Sequence, residues 1–259
     1  MPNEKVINLN ADLGESFGTW RMGDDAALLD IVASANLACG FHAGDPDVMR
    51  HTVRACVAKG VSIGAHPSYD DLQGFGRRAM KLSPAEIENL VAYQVGALAG
   101  IAALEGGRVT HVKPHGALNN QACTDAGIAA AIARAVRAVD PQLILLAPAA
   151  SVLLSAGLEA KLRVIAEIFA DRAYQDDGQL APRGTPGAMV HGPDACVAHV
   201  SSMLEAGALI ALSGKRIPTS IGSVCVHGDG AEAVAVAKHL RHALEYSEWH
   251  IASLTDIPE

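Results

Sequence analysis

The feature that most constrains this sequence is a repeated alternation of polar and apolar side chains along segments with the composition of β-strands. In HVKPHG, His111, Lys113 and His115 would share one face of an extended chain, with Val112 and Pro114 on the other. The same pattern recurs in VINLNADL, NLACGFH, VSIGAHP, RVIAEIFAD and SVCVHGD. Parallel sheets covered by helices on both sides are apolar on both faces. We therefore expect the polar faces to line the interior of a closed barrel.

Segments with helical periodicity separate these strands and the apolar segment QLILLAP. The predicted helices are Asp24–Ala35, Asp47–Lys59, Pro84–Glu105, Asp125–Val139, Asp194–Ala206 and Ala231–Tyr246. Strands alternating with helices predict parallel strands joined by right-handed crossovers. With about seven strands and no linker-like segment, residues 1–259 are predicted to form a single, irregular seven-stranded (β/α) barrel domain. Arg172–Gly192 is predicted as a long loop on the active face, and Gly207–Ile221 as the place of a short hairpin.

Composition and charge exclude several classes of function. Half of the 259 residues are hydrophobic, which is enough for a sizeable core, and the net charge of −8 without a basic run argues against nucleic acid. The five cysteines are widely spaced and form no CxxC pair, so neither a disulfide framework nor a zinc knuckle is expected. We find no signal-peptide pattern and no apolar run of about 18 residues, and we expect a reduced, cytoplasmic protein without a membrane segment.

Polar residues gather where the predicted strands end. They are Asp12, His42, His66, His115, Asp171 and His227. A single histidine at a strand end is more often structural, but six such positions together favour an active site at the carboxyl ends of barrel strands. The remaining histidines that fall in helical or terminal positions are predicted to be solvent-exposed, and these are His51, His199, His239, His242 and His250.

Standard nucleotide and hydrolase motifs are missing from the sequence. It contains no GxxxxGK[ST] phosphate loop, no GxSxG and no HExxH. The glycine-rich segments ADLGES, ACGFHAGD, QGFGRR and HGDG follow predicted strands, where backbone N–H groups could hold an anion. Glycines also serve simply to turn a chain, so these segments leave the nature of any ligand open.

A longer set of motifs resembles the LamB/YcsF family. These are NADLGES, SANLACGFHAGD, IGAHPSYDD with FGRR, HVKPHGALNNQA, EIFADRAY with APR, and VCVHGDG, in order from about Asn8 to about Leu244. The family comprises the A subunits of bacterial ATP-dependent 5-oxoprolinases. The resemblance implies a barrel of the glycoside hydrolase/deacetylase type, the opening of 5-oxo-L-proline to L-glutamate with ATP as co-substrate, and partner B and C subunits. Asn119 departs from the family pattern, which usually has Tyr in KPHGALY.

The implied reaction assigns roles to the strand-end residues. A five-membered lactam is a poor electrophile, so phosphorylation of its amide oxygen before attack by water would explain the use of ATP. The predicted catalytic residues are Asp12, His66, Lys113, His115, Asp171 and Arg172, with Asp171 expected to orient Arg172 through an ion pair. The predicted substrate-binding residues are Asn10, His42, Asn119, Glu167, Arg183 and His227.

Two other functions remain open at the level of sequence. One is a metal-dependent amidase or deacetylase that acts alone, with a divalent metal bound by a subset of Asp12, His42, His66 and His115. The other is a non-catalytic subunit that binds a lactam while partner subunits carry out the chemistry. A homo-oligomer is also compatible with the sequence.

Overall fold

The computed structural model describes residues 5–228, 230 and 232–258 of the chain. Asp229, in the HGDG segment, and Ala231, at the predicted start of the last helix, lie outside the described residues. The strands are β1 (Lys5–Leu13), β2 (Ser34–Ala38), β3 (Ser62–His66), β4 (Val109–Val112), β5 (Ile144–Pro148), β6 (Arg163–Phe169), β7 (Ala208–Ile210), β8 (Arg216–Pro218), β9 (Ser223–Val226) and β10 (Trp249–Ile251).

Parallel pairing closes seven of these strands into a barrel. The order is β1-β2-β3-β4-β5-β6-β9, and β9 pairs back onto β1. β10 lies outside the ring and pairs with the first residues of β1. β7 and β8 form a separate antiparallel hairpin, which confirms the prediction for Gly207–Ile221. The predicted seven-stranded (β/α) barrel is therefore confirmed.

Helices cover the apolar outer face of the barrel. They are α1 (Asp25–Leu28), α2 (Pro46–Lys59), α3 (Pro84–Leu104), α4 (Gly116–Ala122), α5 (Ala126–Val139), α6 (Val152–Glu159), α7 (Pro193–Ala206) and α8 (Ala233–Tyr246). The start of α3 shows how sequence sets a boundary: the Ser83 hydroxyl accepts from the Glu86 N–H, and the Glu86 carboxylate accepts from the Ser83 N–H. Within the described residues, only α3 has the length and apolar composition of a membrane span. A third of that apolar stretch is buried, where α3 packs on α5 and on β3 and β4.

The interior of the barrel is polar at mid-height, as the alternation predicted. Asn8, Asn10, Asn36 and His111 are fully buried there and bond to one another or to neighbouring strands. β3 contributes Gly64 to this layer because the His111 imidazole occupies the space beside it. A β-carbon at Gly64 would lie 2.0 Å from His111 Nε2.

The opposite end of the barrel is closed by apolar residues from the C-terminal segment. Ala252, Leu254 and Ile257 pack against three inward side chains of β5 and β6, namely Ile144, Leu146 and Ile165. The Asn8 amide also donates to the Ala252 carbonyl at 2.8 Å. This apolar group (the C-terminal plug, Ala252–Ile257) leaves the carboxyl ends of the strands as the place for a polar site.

Some predicted boundaries are wrong. The helix predicted over Asp24–Ala35 ends at Leu28, because Ser34 already pairs with Asn10 in the barrel. The strand predicted as NLACGFH ends at Ala38, and the chain then turns through Gly40 at a φ of 99°. α4, α6 and β10 were not predicted, because short segments give weak periodicity.

Candidate active site

Eight of the predicted site residues line one cavity of about 390 Å³ at the carboxyl ends of the strands. They are Asp12, His66, Lys113, His115, Asn119, Arg172, Arg183 and His227. Asn10 and Glu167 lie fully buried beneath this cavity, and His42 is buried beside it. The chain therefore converges on one place from segments that are far apart in sequence.

Lys113 is the central charge of the cavity floor. Its ammonium lies 2.9 Å from Asp12 Oδ1 and 3.2 Å from Glu167 Oε2, and it also donates to Cys225 Sγ at 2.9 Å. The two carboxylates have only small exposed fractions, so the ion pairs are shielded from solvent. Lys113 directly follows β4 and continues the alternation of that strand on its inward-facing side. Its side chain therefore crosses the barrel interior toward β1 and β6.

Burial and ion pairing shift the pKa values of these charged groups in opposite directions. Burial alone would raise the pKa of Asp12, but His66 and Lys113 outweigh it and hold that pKa well below its usual value. Burial would lower the pKa of Lys113, but the neighbouring Asp12 raises it well above its usual value. Burial raises the pKa of Glu167 despite the nearby ammonium. The floor thus holds an ionised Asp12–Lys113 pair beside a carboxyl that gains a proton more readily.

A second layer of polar residues holds the floor in place. The Asn10 amide donates to Glu167 Oε1 at 2.8 Å, and the Asn36 amide donates to Asp12 Oδ1 at 2.9 Å. His111 Nε2 lies 3.0 Å from Asn36 Oδ1. Burial and Lys113 lower the pKa of His111 to about 3, so its ring is neutral and donates to Asn36. Asn10 and Glu167, predicted to bind substrate, therefore support Asp12 and Lys113 from below.

Three histidines and a glutamate form a compact cluster beside Asp12. The ligand atoms of Glu15, His42, His66 and His115 all lie within 4.8 Å of one another, and all four residues are buried. The His42 and His115 rings stack at 3.8 Å, and His66 meets His115 edge-on. Burial, together with the neighbouring histidines, lowers the pKa of His42 and of His115 well below the usual value. A cluster of three imidazoles and one carboxylate could hold a metal ion.

The segment after β3 covers this cluster. Phe75 has a φ of 55°, an uncommon conformation for a residue with a side chain, and its carbonyl lies 2.8 Å from His115 Nε2. Its ring lies edge-on to His42 and His115. Gly76, the next residue, leaves no room for a side chain, because a β-carbon there would lie 2.0 Å from Ser68 Oγ. This backbone fixes the orientation of His115.

Three arginines stand around the mouth of the cavity, namely Arg77, Arg172 and Arg183. The Arg172 side chain is almost fully buried and donates from Nη2 to the Ala181 carbonyl at 2.8 Å. Its Nε is buried and has no hydrogen-bond partner in the described part of the chain. Burial and the nearby Arg183 lower the pKa of Arg172. An anion at the mouth would relieve both the repulsion and the missing hydrogen bond.

The predicted ion pair between Asp171 and Arg172 is wrong. Both Asp171 oxygens instead face His227 Nδ1, at 2.8 and 2.9 Å, while Arg172 donates to the loop carbonyl of Ala181. Both residues lie beyond the end of β6 at Phe169, so contacts with other segments, not strand alternation, determine where each side chain points. Burial would raise the pKa of Asp171, but His227 outweighs it and lowers that pKa.

Asn119 lies in α4, at the wall of the cavity. It is buried, and its Oδ1 has no hydrogen-bond partner among the described residues. Buried amide oxygens are normally paired, so an unpaired one next to a cavity is an unusual feature. Asn119 thus presents an unused hydrogen-bonding group at the cavity wall.

Sequence reasoning missed Glu15, Arg77 and Cys225. Glu15 was accessible as the carboxylate of ADLGES directly after β1, and Arg77 lies in the segment FGRR. Cys225 shares the inward face of β9 with Ser223, but a lone cysteine gives no signal of a lysine partner.

His199 was predicted to be exposed, and this is wrong. It is partly buried on α7, with Nε2 2.9 Å from the Arg172 carbonyl.

Comparisons of structure place this geometry among known folds. The crystal structure of a lactam utilization protein from Thermus thermophilus is 42% identical, with a TM-score of 0.90 over 96% of this chain and 100% of that chain. The catalytic domain of a peptidoglycan N-acetylglucosamine deacetylase from Eubacterium rectale has a TM-score of 0.52 at 12% identity. It covers 100% of this chain and 92% of that domain, and it shows the similarity of fold alone.

Relatives found by comparison of sequences are more than half identical to this chain. The 5-oxoprolinase A subunit from Azoarcus sp. is 62% identical over 98% of this chain and 99% of its own length. A protein of the same name from Methylococcus capsulatus is 56% identical over 96% of each chain. The sequence model of the LamB/YcsF family matches residues 7–259. From this match and these relatives it follows that the chain belongs to the LamB/YcsF family.

Proposed function

We propose that this chain serves as the A subunit of an ATP-dependent 5-oxoprolinase that works with B and C subunits and opens 5-oxo-L-proline to L-glutamate. The observation that carries the proposal is the buried Asp12–Lys113–Glu167 group at the floor of a cavity with an arginine-lined mouth. A small anionic lactam needs both cations for its carboxylate and a polar reaction centre. The names and high identity of the relatives support the same role.

In this proposal the carboxylate and the amide of the lactam contact different sides of the cavity. Its carboxylate faces Arg172 and Arg183, because Arg172 is buried with an unpaired Nε and Arg183 stands beside it. The amide end reaches toward Lys113 on the floor, and Asn119 contacts the ring from the wall. His227, held by Asp171, borders the same space.

ATP makes the amide carbon reactive in this proposal. Phosphorylation of the amide oxygen creates a good electrophile, and Lys113 with the mouth arginines offsets the negative charge of the phosphoryl group. The phosphoryl transfer leaves ADP. Water then attacks the carbon, and the ring C–N bond breaks with its electron pair passing to nitrogen, which takes up the proton that the water loses. The product of this step is an acyl phosphate, and a second water hydrolyses it to L-glutamate and phosphate. Asp12 is ionised and held rigidly by Lys113 and Asn36, so it can orient the attacking water.

The test is glutamate formation from 5-oxo-L-proline and ATP by the chain combined with its B and C subunits. Asp12→Asn keeps the size of the side chain but loses the charge, and we expect turnover to fall by roughly 10²–10⁴-fold. His239→Ala, at an exposed position of α8, is the control and should leave turnover unchanged. Full turnover by an Asp12→Asn complex that assembles normally would contradict a catalytic role for this chain and would favour a lactam-binding one.

A metal-dependent amidase that acts alone is the second candidate, and the Glu15, His42, His66 and His115 cluster favours it. In that case the chain by itself would hydrolyse a lactam or amide without ATP, and a chelator would abolish the activity. Activity that needs ATP and the other subunits, and that is lost when either is omitted, would contradict this candidate.

A further inference from the structure

We propose that Glu15, His42, His66 and His115 form a binding site for one divalent transition-metal ion, with three imidazole nitrogens and one carboxylate oxygen as ligands. His115 Nδ1 lies 3.0 Å from His66 Nε2 and 3.6 Å from Glu15 Oε1, and His42 Nε2 lies 3.3 Å from Glu15 Oε1. Ligand atoms bound at 2.0–2.2 Å in a tetrahedron are about 3.3–3.6 Å apart. Three of the six pairs of ligand atoms therefore lie close to this spacing, and all six pairs lie within 4.8 Å.

The hydrogen bonds that His66 and His115 make outside the cluster determine which ring nitrogens face into it. His66 Nδ1 lies 2.6 Å from the Lys113 carbonyl, and His115 Nε2 lies 2.8 Å from the Phe75 carbonyl. A carbonyl only accepts, so both of these nitrogens carry the proton. In neutral rings the other nitrogens, His66 Nε2 and His115 Nδ1, then point lone pairs at each other across 3.0 Å. Two acceptors at this distance repel each other unless a positive charge lies between or beside them.

A shared proton would relieve this contact, but it would bridge only two of the four converging atoms. Glu15 Oε1 approaches both His42 and His115, so the same small space also receives a carboxylate and a third imidazole. One metal ion would be in reach of all four atoms. Backbone carbonyls that hold the outer nitrogens of metal-bound histidines are the usual supporting contacts for such ligands.

The proposed site differs from the metal ligands predicted from sequence, which included Asp12. Asp12 Oδ1 is taken by Lys113 and Asn36, both at 2.9 Å, and Oδ2 lies 3.4 Å from His66 Nε2, so this carboxylate joins the cavity floor to the edge of the cluster without being one of its four converging ligands. Glu15 takes its place in the cluster. His66 and His115 line the cavity as well as the cluster, so a bound ion would border the space where substrate is proposed to lie and would supply positive charge there.

Metal binding can be measured without any turnover. The purified chain is stripped with a chelator and titrated separately with Zn²⁺, Mn²⁺ and Co²⁺ by calorimetry, and the visible absorption of Co²⁺ reports tetrahedral coordination. We expect one ion per chain and a higher melting temperature on binding. Glu15→Gln and His42→Ala should each weaken binding by roughly 100-fold or more. His239→Ala and Glu159→Gln, both at exposed positions, are the controls and should bind as the unchanged chain does.

The unliganded variants are first compared by circular dichroism and melting temperature, so that lost binding is not confused with lost folding. The absence of any one-to-one binding would overturn the proposal, as would binding that Glu15→Gln and His42→Ala leave unchanged. A shared proton between His66 and His115, seen by ¹⁵N NMR in a chain that binds none of the three ions, would also overturn it. Because no lactam or ATP is present, these results are independent of the proposed 5-oxoprolinase reaction.

Discussion

At the scale of single residues, Lys113 determines the charge balance of the cavity floor. Its ammonium faces Asp12, Glu167 and Cys225, and the two carboxylates share it. A buried ion pair contributes little net stability, but removing one partner leaves an uncompensated buried charge. The stability of the barrel should therefore respond strongly to this one side chain.

Lys113→Met removes the charge and keeps the length of the side chain. We expect it to lower the free energy of unfolding by about 3–5 kcal/mol, measured by urea denaturation, because Asp12 and Glu167 are left without the cation that they share. In the double variant with Glu167→Gln, only one carboxylate remains, and at least about 1 kcal/mol should be recovered. Equal stability of Lys113→Met and the unchanged chain would show that the carboxylates do not depend on Lys113.

Asn119 should affect function rather than folding. Its Oδ1 has no partner within the described residues, so Asn119→Ala leaves no hydrogen bond to that oxygen broken and should leave the melting temperature almost unchanged. If Asn119 contacts the lactam, kcat/KM should fall roughly tenfold, as expected for one neutral hydrogen bond. An unaltered kcat/KM in the assembled complex would show that Asn119 does not bind substrate.

The sequence could predict which residues meet in the cavity where alternation along a strand determined the direction of their side chains. Asp12, His66, Lys113 and His115 come together because each follows the polar face of its strand to the same end of the barrel. Glu15 gave a weaker signal: ADLGES places a carboxylate directly after β1, but beyond the strand end parity does not tell where its side chain points. The ion pair predicted between Asp171 and Arg172 was wrong for the same reason, since Asp171 pairs with His227 through a contact that only the tertiary structure defines.

At the scale of secondary-structure elements, α2 and α3 are joined by a surface ion-pair group. Glu105, the residue that follows α3, lies 2.5 Å from Arg50 Nε and 2.9 Å from Arg54 Nε on α2. Hydrogen bonds from Arg54 and Arg50 lower the pKa of Glu105 to about 2. The folded pKa is below the unfolded one, so the stabilisation is present above about pH 4.5 and is lost as the pH falls through about 2.

Glu105→Gln tests this contact between helices. We expect the variant to be less stable than the unchanged chain near neutral pH and the difference to disappear toward about pH 2, measured by urea denaturation across that range. Glu159→Gln, at an exposed position of α6, is the matched control and should show no such pH-dependent difference. A difference for Glu105→Gln that stays constant from neutral pH to about pH 2 would contradict the assigned pKa.

Long elements were predictable and short ones were not. The predictions for α2, α3, α5 and α7 agree with the structure within one residue at each end, because Ser83, the prolines and the helix-ending glycines mark their boundaries. α4 directly follows His115, and its seven residues are too few to show a helical period. β10 has three residues and is held by β1, so only tertiary pairing defines it.

At the scale of the whole molecule, the barrel has two ends with opposite character. One end carries the polar cavity, and the other is filled by the C-terminal plug. This division lets the polar site exist without weakening the whole interior, because apolar burial at the plug offsets part of the cost of burying charges.

Leu254→Ala tests the plug. Leu254 is fully buried against the inward side chains of β5 and β6, so its truncation should lower the free energy of unfolding by about 2–5 kcal/mol, measured by urea denaturation. Tyr246→Ala, at a position that is 85% exposed on α8, should change it by no more than about 0.5 kcal/mol. A similar small change for Leu254→Ala would show that the plug does not support the barrel.

The plug and β10 also have a consequence for how the chain is made. The hydrogen bond between Asn8 and Ala252 joins positions that are 244 residues apart, and β10 completes the pairing of β1. At a translation rate of about 5–20 residues per second, the first strand leaves the ribosome roughly 12–50 s before these partners do. Throughout that interval one end of the nascent barrel lacks its closing residues. Chaperones therefore have time to bind the growing chain before it can complete its fold.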